Sequence, residues 1–211
     1  MKRLIDSGLE QLASMLIRMG ELAEKAVTLS IMSYMENTKN YNQVNDLSDN
    51  LSLMVDPIED TVFEIMVRFQ PVASDLRILK SYIKICYDFD RFGRYAFDIS
   101  QIHEKFGGIK EESFKQIVKE MSEETLKMVN MSVQSLKGHD AELARKISES
   151  EQKVDAFYHR YLDRLIKTKL AKGSTISSLL VVRYLERIAD HSSYIGESII
   201  YLATGKKTKL R

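Results

Sequence analysis

Apolar residues recur every three or four positions along most of the chain, which is the period of one face of an α-helix. The first such stripe consists of Leu12, Met15, Met19, Leu22, Ala26 and Leu29, and it ends at the polar run Asn37–Asn40. A second stripe follows between Val44 and Phe69. The pattern therefore predicts two long helices at the start of the chain.

The second stripe contains Pro57 but continues in phase beyond it. An internal proline removes a backbone donor and crowds the preceding turn, so we expect a single helix that is kinked near Asp56. Gln70 and Pro71 end this helix, and Pro71 is predicted to open a third one, where its missing N–H is harmless. The stripe of the third helix includes one acidic residue: Leu76, Leu79, Ile83, Cys86, Asp90, Gly93 and Phe97.

Gly107 and Gly108 indicate a linker between two halves of the chain. Beyond it, the pattern predicts helices over about 111–136, 141–170 and 175–203, separated by breaks at 138–140 and 172–174. Helices joined by short breaks pack antiparallel. The expected fold is all-α: six long antiparallel helices form two pseudo-symmetric three-helix bundles, one over residues 1–107 and one over residues 108–211.

The last helix repeats the stripe of the third helix at a distance of 96 residues, so that Glu186 takes the place of Asp90. The second copy keeps an acid-x-x-x-acid pattern with Asp190, whereas the first has Arg94 at the second acidic position. A repeat that places carboxylates among apolar residues predicts one helical unit used twice around a polar site.

Composition agrees with helices, since 44% of the residues are hydrophobic while Gly numbers 9, Pro 2 and Trp none. A net charge of +1 argues against a nucleic-acid binder. No apolar run is long enough for a membrane span and no signal peptide is apparent, so we expect a cytoplasmic protein. The single cysteine, Cys86, is predicted to be a buried apolar residue, and the basic residues 206–211 are predicted to form a solvated tail.

Four carboxylates are the main candidates for chemistry. Glu186 and Asp190 lie four residues apart, and so do Glu151 and Asp155 on the preceding helix, so each pair shares one helix face. Two antiparallel helices would bring these acids together, and a cation must then neutralise them. A hard metal ion such as Mg, Mn or Fe is one candidate, with His159 as a possible extra ligand. The alternative is that Arg160, Arg183 and Arg187 pair with these acids at the surface.

Signatures of catalysis are absent from the sequence. No His follows a Glu by three residues, as carboxylate-bridged di-iron enzymes require. The sequence also lacks a phosphate-binding Gly-rich loop, a Cys-x-x-Cys motif and a nucleophile elbow. We therefore predict no catalytic residues.

One block of sequence is specific enough to indicate a family. The segment Gln70-Pro71-Val72-Ala73-Ser74-Asp75-Leu76-Arg77, followed by Lys84 and Asp90-Arg91-Phe92-Gly93, resembles the signature of the PhoU family of phosphate-uptake regulators. In the second half, the acidic segments 151–155 and 186–191 resemble the family's paired acidic motifs, and Glu197 and residues 201–205 also fit. The resemblance covers nearly the whole chain.

This resemblance implies two similar three-helix bundles and a regulatory, non-enzymatic role. Family members act at the cytoplasmic face of a phosphate ABC transporter and restrain a sensor histidine kinase, and some bind iron or zinc clusters at the paired acidic motifs. By this likeness, Glu151, Asp155, Glu186 and Asp190 would hold Fe, Zn, Mn or Mg. The first half departs from the pattern: its acidic positions fall on Ser48, Ser52, Asp90 and Arg94.

We therefore expect Arg94 to form an internal ion pair with Asp90, which leaves one metal site at most. The expected function is that of a PhoU-like cytoplasmic regulator, a homodimer, acting by contact with the ATPase of a phosphate ABC transporter or with a sensor histidine kinase. Two alternatives stay open at this point. One is a metal-binding structural companion of another transporter, and the other is a metal-dependent hydrolase.

Overall fold

The computed structural model describes residues 3–168 and 172–211, and all regular secondary structure in these ranges is helical. Its helices are α1 (Leu4–Glu36), α2 (Tyr41–Phe69), α3 (Ser74–Phe106), α4 (Glu112–Gly138), α5 (Ala141–Arg145), α6 (Ile147–Lys167) and α7 (Lys172–Thr204). The predicted all-α class is confirmed, and so is the continuation of α2 through Pro57.

The helix predicted over 141–170 is instead divided into α5 and α6 at Lys146. The Lys146 N–H donates to the Leu143 carbonyl, and the Glu149 N–H donates to the Lys146 carbonyl. Both bonds span three residues rather than four, so the helix tightens here into a turn of 3₁₀ type. The side chain of Asp140 caps the start of α5 by accepting from the backbone N–H groups of Glu142 and Leu143.

Two further predicted boundaries were wrong. Pro71 does not open α3, which begins at Ser74. Gln70 (φ 45°) and Ala73 (φ 49°) have positive φ, so the backbone between them forms a turn and not a helix. Helix α7 already begins at Lys172, although a break was predicted at 172–174. The end of the helix predicted to reach residue 170 falls partly on 169–171, outside the described residues.

The helices of each half pack against one another, and the halves join mainly along α3 and α7, with α1 also packing on α4. The core is therefore continuous from one half to the other. Cys86 is buried in it, as predicted. None of the helices in the described ranges is long and apolar enough to cross a membrane.

Candidate functional site

Helices α6 and α7 bring the four predicted carboxylates into one neighbourhood, which we call the acidic site: Glu151, Asp155, Glu186 and Asp190. Burial raises the pKa of Glu151, and the charges of Asp155, Asp190 and Glu186 raise it further. Burial and then Asp190 likewise raise the pKa of Glu186. The four acids therefore interact across the two helices, as the spacing predicted.

Basic side chains balance much of this negative charge. Arg183 Nη1 lies 2.6 Å from Glu186 Oε2, and Arg211 Nη1 lies 2.6 Å from Asp190 Oδ1. His159 Nε2 lies 3.4 Å from Asp155 Oδ1 in an exposed pair. Arginine pairing at this site was the alternative to a metal, and it is correct for Arg183.

The other two arginines of that alternative behave differently. Arg160 pairs with Glu120 on α4 and lies over the ring of Phe157, away from the acidic site. Arg187 is exposed and forms no ion pair in the described part of the chain; its charge only opposes the rise in the pKa of Glu186 that burial causes.

Metal binding at the acidic site stays a prediction. Among the described residues, no three potential His, Cys, Asp or Glu ligands are grouped so that they could hold one ion. With the side chains as they stand, Arg183 and Arg211 occupy the carboxylate oxygens that a metal would need. A metal would have to displace at least Arg211 from Asp190.

Residues 206–211, which we call the closing segment, match the predicted solvated tail only in part, because residues 206–209 are exposed but Leu210 is buried. Gly205, with φ 74°, ends α7 and reverses the chain. Leu210 is then buried; its N–H donates to Glu197 Oε1 (3.0 Å) and its carbonyl accepts from Ser148 Oγ (2.7 Å). Because Leu210 is held in this way, the guanidinium of Arg211 reaches Asp190 and lies over the ring of Tyr194. The sequence pattern gave no sign of it, because one buried leucine has no periodicity.

At the corresponding positions of the first half, between α2 and α3, no ion pair is formed within the described part of the chain. The predicted ion pair between Asp90 and Arg94 is wrong: Asp90 Oδ1 accepts from Ser52 Oγ at 2.8 Å. Arg94 is exposed; burial raises the pKa of Asp98, one turn further along α3, and the charge of Arg94 opposes that rise. Ser48 is buried where α2 and α3 approach closely.

The signature segment, Gln70 to Arg77, connects distant parts of the molecule. Arg77 Nε donates to the carbonyl of Leu202 near the end of α7 (3.3 Å), and Asp75 accepts two bonds from Arg3 at 2.8 and 3.1 Å. Pro71 and Ser74 lie in and directly after the turn between α2 and α3. These contacts fix the ends of three helices relative to one another.

Sequence reasoning missed a buried histidine–aspartate pair between the halves. His191 Nδ1 lies 2.7 Å from Asp88 Oδ1, and both side chains are buried. Burial raises the pKa of Asp88, and the bond to His191 opposes that rise. His191 Nε2 lies 3.4 Å from the hydroxyl of Tyr95, the residue at the equivalent position 96 residues earlier. The repeat spacing is the one signal that could have linked His191 to α3.

The chain matches the family model described as the PhoU domain twice, over residues 16–102 and 118–199. It is 29% identical over 218 aligned positions to the phosphate-specific transport system accessory protein PhoU homolog of Clostridium acetobutylicum, covering 99% of this chain and 98% of that protein. Identity to the homolog of the same name from Pseudomonas aeruginosa is 30% over 209 positions, covering 93% and 84%. The crystal structure of PhoU from Pseudomonas aeruginosa aligns with a TM-score of 0.87 at 27% identity, covering 95% of this chain and 99% of that one.

Proposed function

Because this chain belongs to the PhoU family, we propose that it regulates phosphate transport by contact with a phosphate-specific transport system. The observation that carries this proposal is the extent of the likeness. Both halves match the family, and relatives named as accessory proteins of such a system align along nearly their whole length. The proposed partner is the cytoplasmic ATPase of a phosphate ABC transporter, with a sensor histidine kinase as a second partner and a homodimer as the acting form.

We also propose that the protein is not an enzyme. In the acidic site, Glu186 and Asp190 are engaged by arginines, whereas a hydrolytic metal centre needs an open coordination position. The carboxylates are therefore better suited to holding helices and the closing segment in place than to activating water. The metal predicted there would accordingly have a structural role.

The partner surface that we propose lies at the end of α2 and in the turn that follows it. Phe63 and Val67, one turn apart on α2, expose 57% and 79% of their surface, and Val72 in the turn exposes 73%. Exposed apolar residues grouped in this way are typical of protein–protein contacts. With a net charge of +1 the chain has little long-range field, so apolar contact should supply much of the binding energy.

The test is retention of the full chain by the purified ATPase subunit at about 0.15 and about 0.5 M salt. Wild-type protein should bind at both, because apolar contact is weakly screened. Val67→Asp should lose binding while remaining folded, since that side chain is mostly exposed. Ile166→Asp is the matched control, because Ile166 is exposed to 84% on α6, far along the chain from the proposed surface.

The rival functions predict other results. Metal-dependent hydrolysis of phosphate esters that Glu186→Ala abolishes, together with no ATPase binding at either salt concentration, would identify an enzyme. Retention by a different transporter but not by the phosphate ATPase would identify a companion of that transporter.

A further inference from the structure

A cleft of about 840 Å³ lies between α3, α7 and the closing segment. Its size is in the range of sites that bury a small organic ligand. The proposed regulatory contact makes no use of it. Its walls come from residues 80–88, residues 194–201 and residues 207–209, with Glu59 at one edge.

One set of lining residues is basic. Lys80 and Lys84 lie one turn apart on α3, and Lys207 and Lys209 enter from the closing segment. In the described part of the chain, none of these four ammonium groups forms an ion pair. Lysines that come together from two separate elements and form no ion pair are suited to binding a multiply charged anion.

The acidic residues of the cleft are largely committed to other partners. Asp88 is hydrogen-bonded to His191 at 2.7 Å, so its carboxylate already has a partner. Glu197 accepts the N–H of Leu210. Glu59 and Glu197 keep their negative charge, so two acids oppose the four lysines, and the balance favours a negatively charged ligand.

The other set of lining residues is aromatic and apolar. Tyr87, Tyr194 and Tyr201 line the cleft together with Ile83. Ser81 also lines it, and its buried hydroxyl has no hydrogen-bond partner in the structure. A buried hydroxyl without a partner is costly, so a polar atom of a ligand would satisfy it.

We propose that this cleft binds a nucleotide, with the phosphates at the lysines and the base against the tyrosine rings. Inorganic phosphate alone would leave the aromatic wall and most of the volume unused. A nucleic-acid strand would need basic surface beyond the cleft, which a chain of net charge +1 does not supply. Nucleotides combine the multiple negative charge and the planar ring that the two walls require.

Ligand binding would also act on the acidic site. Lys207 and Lys209 line the cleft, while Arg211, two residues later, is bonded to Asp190. Tyr194 connects the cleft with the acidic site, because it lines the cleft and its ring lies under the guanidinium of Arg211. A nucleotide held by the two lysines would therefore secure the closing segment over the acidic site.

Isothermal titration of the full chain with ATP, ADP, adenosine and inorganic phosphate tests the proposal. ATP and ADP should bind saturably at one site per chain, more tightly than either phosphate or adenosine alone. Lys80→Glu with Lys84→Glu should weaken ATP binding at least about tenfold, which corresponds to about 1.4 kcal/mol. Tyr201→Ala should weaken ATP and adenosine but leave phosphate unchanged.

Lys25→Glu is the matched control, because Lys25 is exposed on α1 and does not line the cleft. It should bind ATP as the wild type does, and circular dichroism should show that all variants are folded. The proposal is overturned if the wild type binds no nucleotide, or if Lys25→Glu weakens ATP as much as the cleft variants do. Phosphate binding as tight as ATP binding, with no effect of Tyr201→Ala, would contradict the nucleotide assignment. Binding of anionic lipid vesicles in place of nucleotides, lost in the cleft variants, would likewise contradict it.

Discussion

Single residues decide how the acidic site is neutralised. Its four acids were predictable from sequence, because a spacing of four places two side chains on one helix face wherever the helix lies. Arg211 was not predictable as their counter-ion, since its position depends on the burial of Leu210 and the reversal of the chain at Gly205. The charge balance of the site therefore depends on tertiary contacts and not on local sequence.

Removal of Arg211 should make the acidic site a better metal site. In Arg211→Ala the carboxylate of Asp190 loses its partner, so a divalent cation no longer competes with a guanidinium. We expect Mn²⁺ or Zn²⁺ to bind about tenfold more tightly than to the wild type, at one ion per chain, as measured by calorimetry. Arg160→Ala is the control, because Arg160 pairs with Glu120 instead.

Replacement of Glu186 and Asp190 by Ala should abolish this binding. Unchanged metal content in that double variant, measured by elemental analysis, would show that the acidic site holds no metal. Equal affinities of Arg211→Ala and the wild type would show that Arg211 does not compete for it.

The raised pKa of Glu151 predicts a dependence of stability on pH. A group whose pKa is higher in the folded state binds more protons there, so its contribution to stability is present at low pH and is lost as the pH rises through the folded pKa. Glu151→Gln removes this effect. The variant should therefore gain in melting temperature relative to wild type at about pH 7 and gain much less at about pH 4. A difference that is constant between these two pH values would rule out the effect.

At the scale of helices, the apolar stripes predicted where the long helices lie, because each has a sustained period. The breaks were harder to predict. The division at Lys146 uses hydrogen bonds that span three residues, and the turn before α3 uses left-handed Gln70 and Ala73, without a glycine at either place. Such turns depend on the packing of the flanking helices, which no local pattern records.

The contact between α2 and α3 in the first half can be tested by a double-mutant cycle. Ser52 and Asp90 share a hydrogen bond in an exposed setting, so Ser52→Ala and Asp90→Asn should couple by about 0.5–1 kcal/mol in the free energy of unfolding. Asp90→Asn and Arg94→Ala should be additive within about 0.5 kcal/mol, because no ion pair joins them. Strong coupling of Asp90 with Arg94 would instead support the ion pair that was predicted from the sequence.

Close packing of α2 and α3 requires Gly93. A Cβ at this position would lie 2.6 Å from Leu51 Cδ1 and 3.5 Å from Ser48 Cα, and Leu51 is fully buried. Gly93→Ala should therefore lower the free energy of unfolding by about 1–3 kcal/mol in denaturant titrations.

Gly173→Ala provides the opposite case in the first turn of α7. A Cβ there meets nothing within 4 Å, so the change should raise stability by up to about 1 kcal/mol through helix propensity alone. Loss of stability in Gly173→Ala, or none in Gly93→Ala, would contradict the packing described here.

The whole molecule is organised around the joint between α3 and α7, where equivalent positions of the two halves meet. Asp88 contacts His191, and Tyr95 contacts Tyr184. Tyr184 lies 96 residues after Asp88 and His191 lies 96 residues after Tyr95, so the two contacts are equivalent under the repeat. The repeat was visible in the sequence as the recurring acidic pair. That its two copies would pack on each other was not, because a repeat spacing does not say which faces meet.

Regulation of phosphate transport is the central claim, and uptake of labelled phosphate tests it most directly. Cells of the source organism that lack this gene should take up phosphate without normal restraint, and the wild-type gene should restore it. Ile166→Asp should restore it as well, whereas Val67→Asp, folded but unable to bind the transporter ATPase, should not. Phosphate uptake that is identical with and without the gene, at both high and low external phosphate, would contradict the claim.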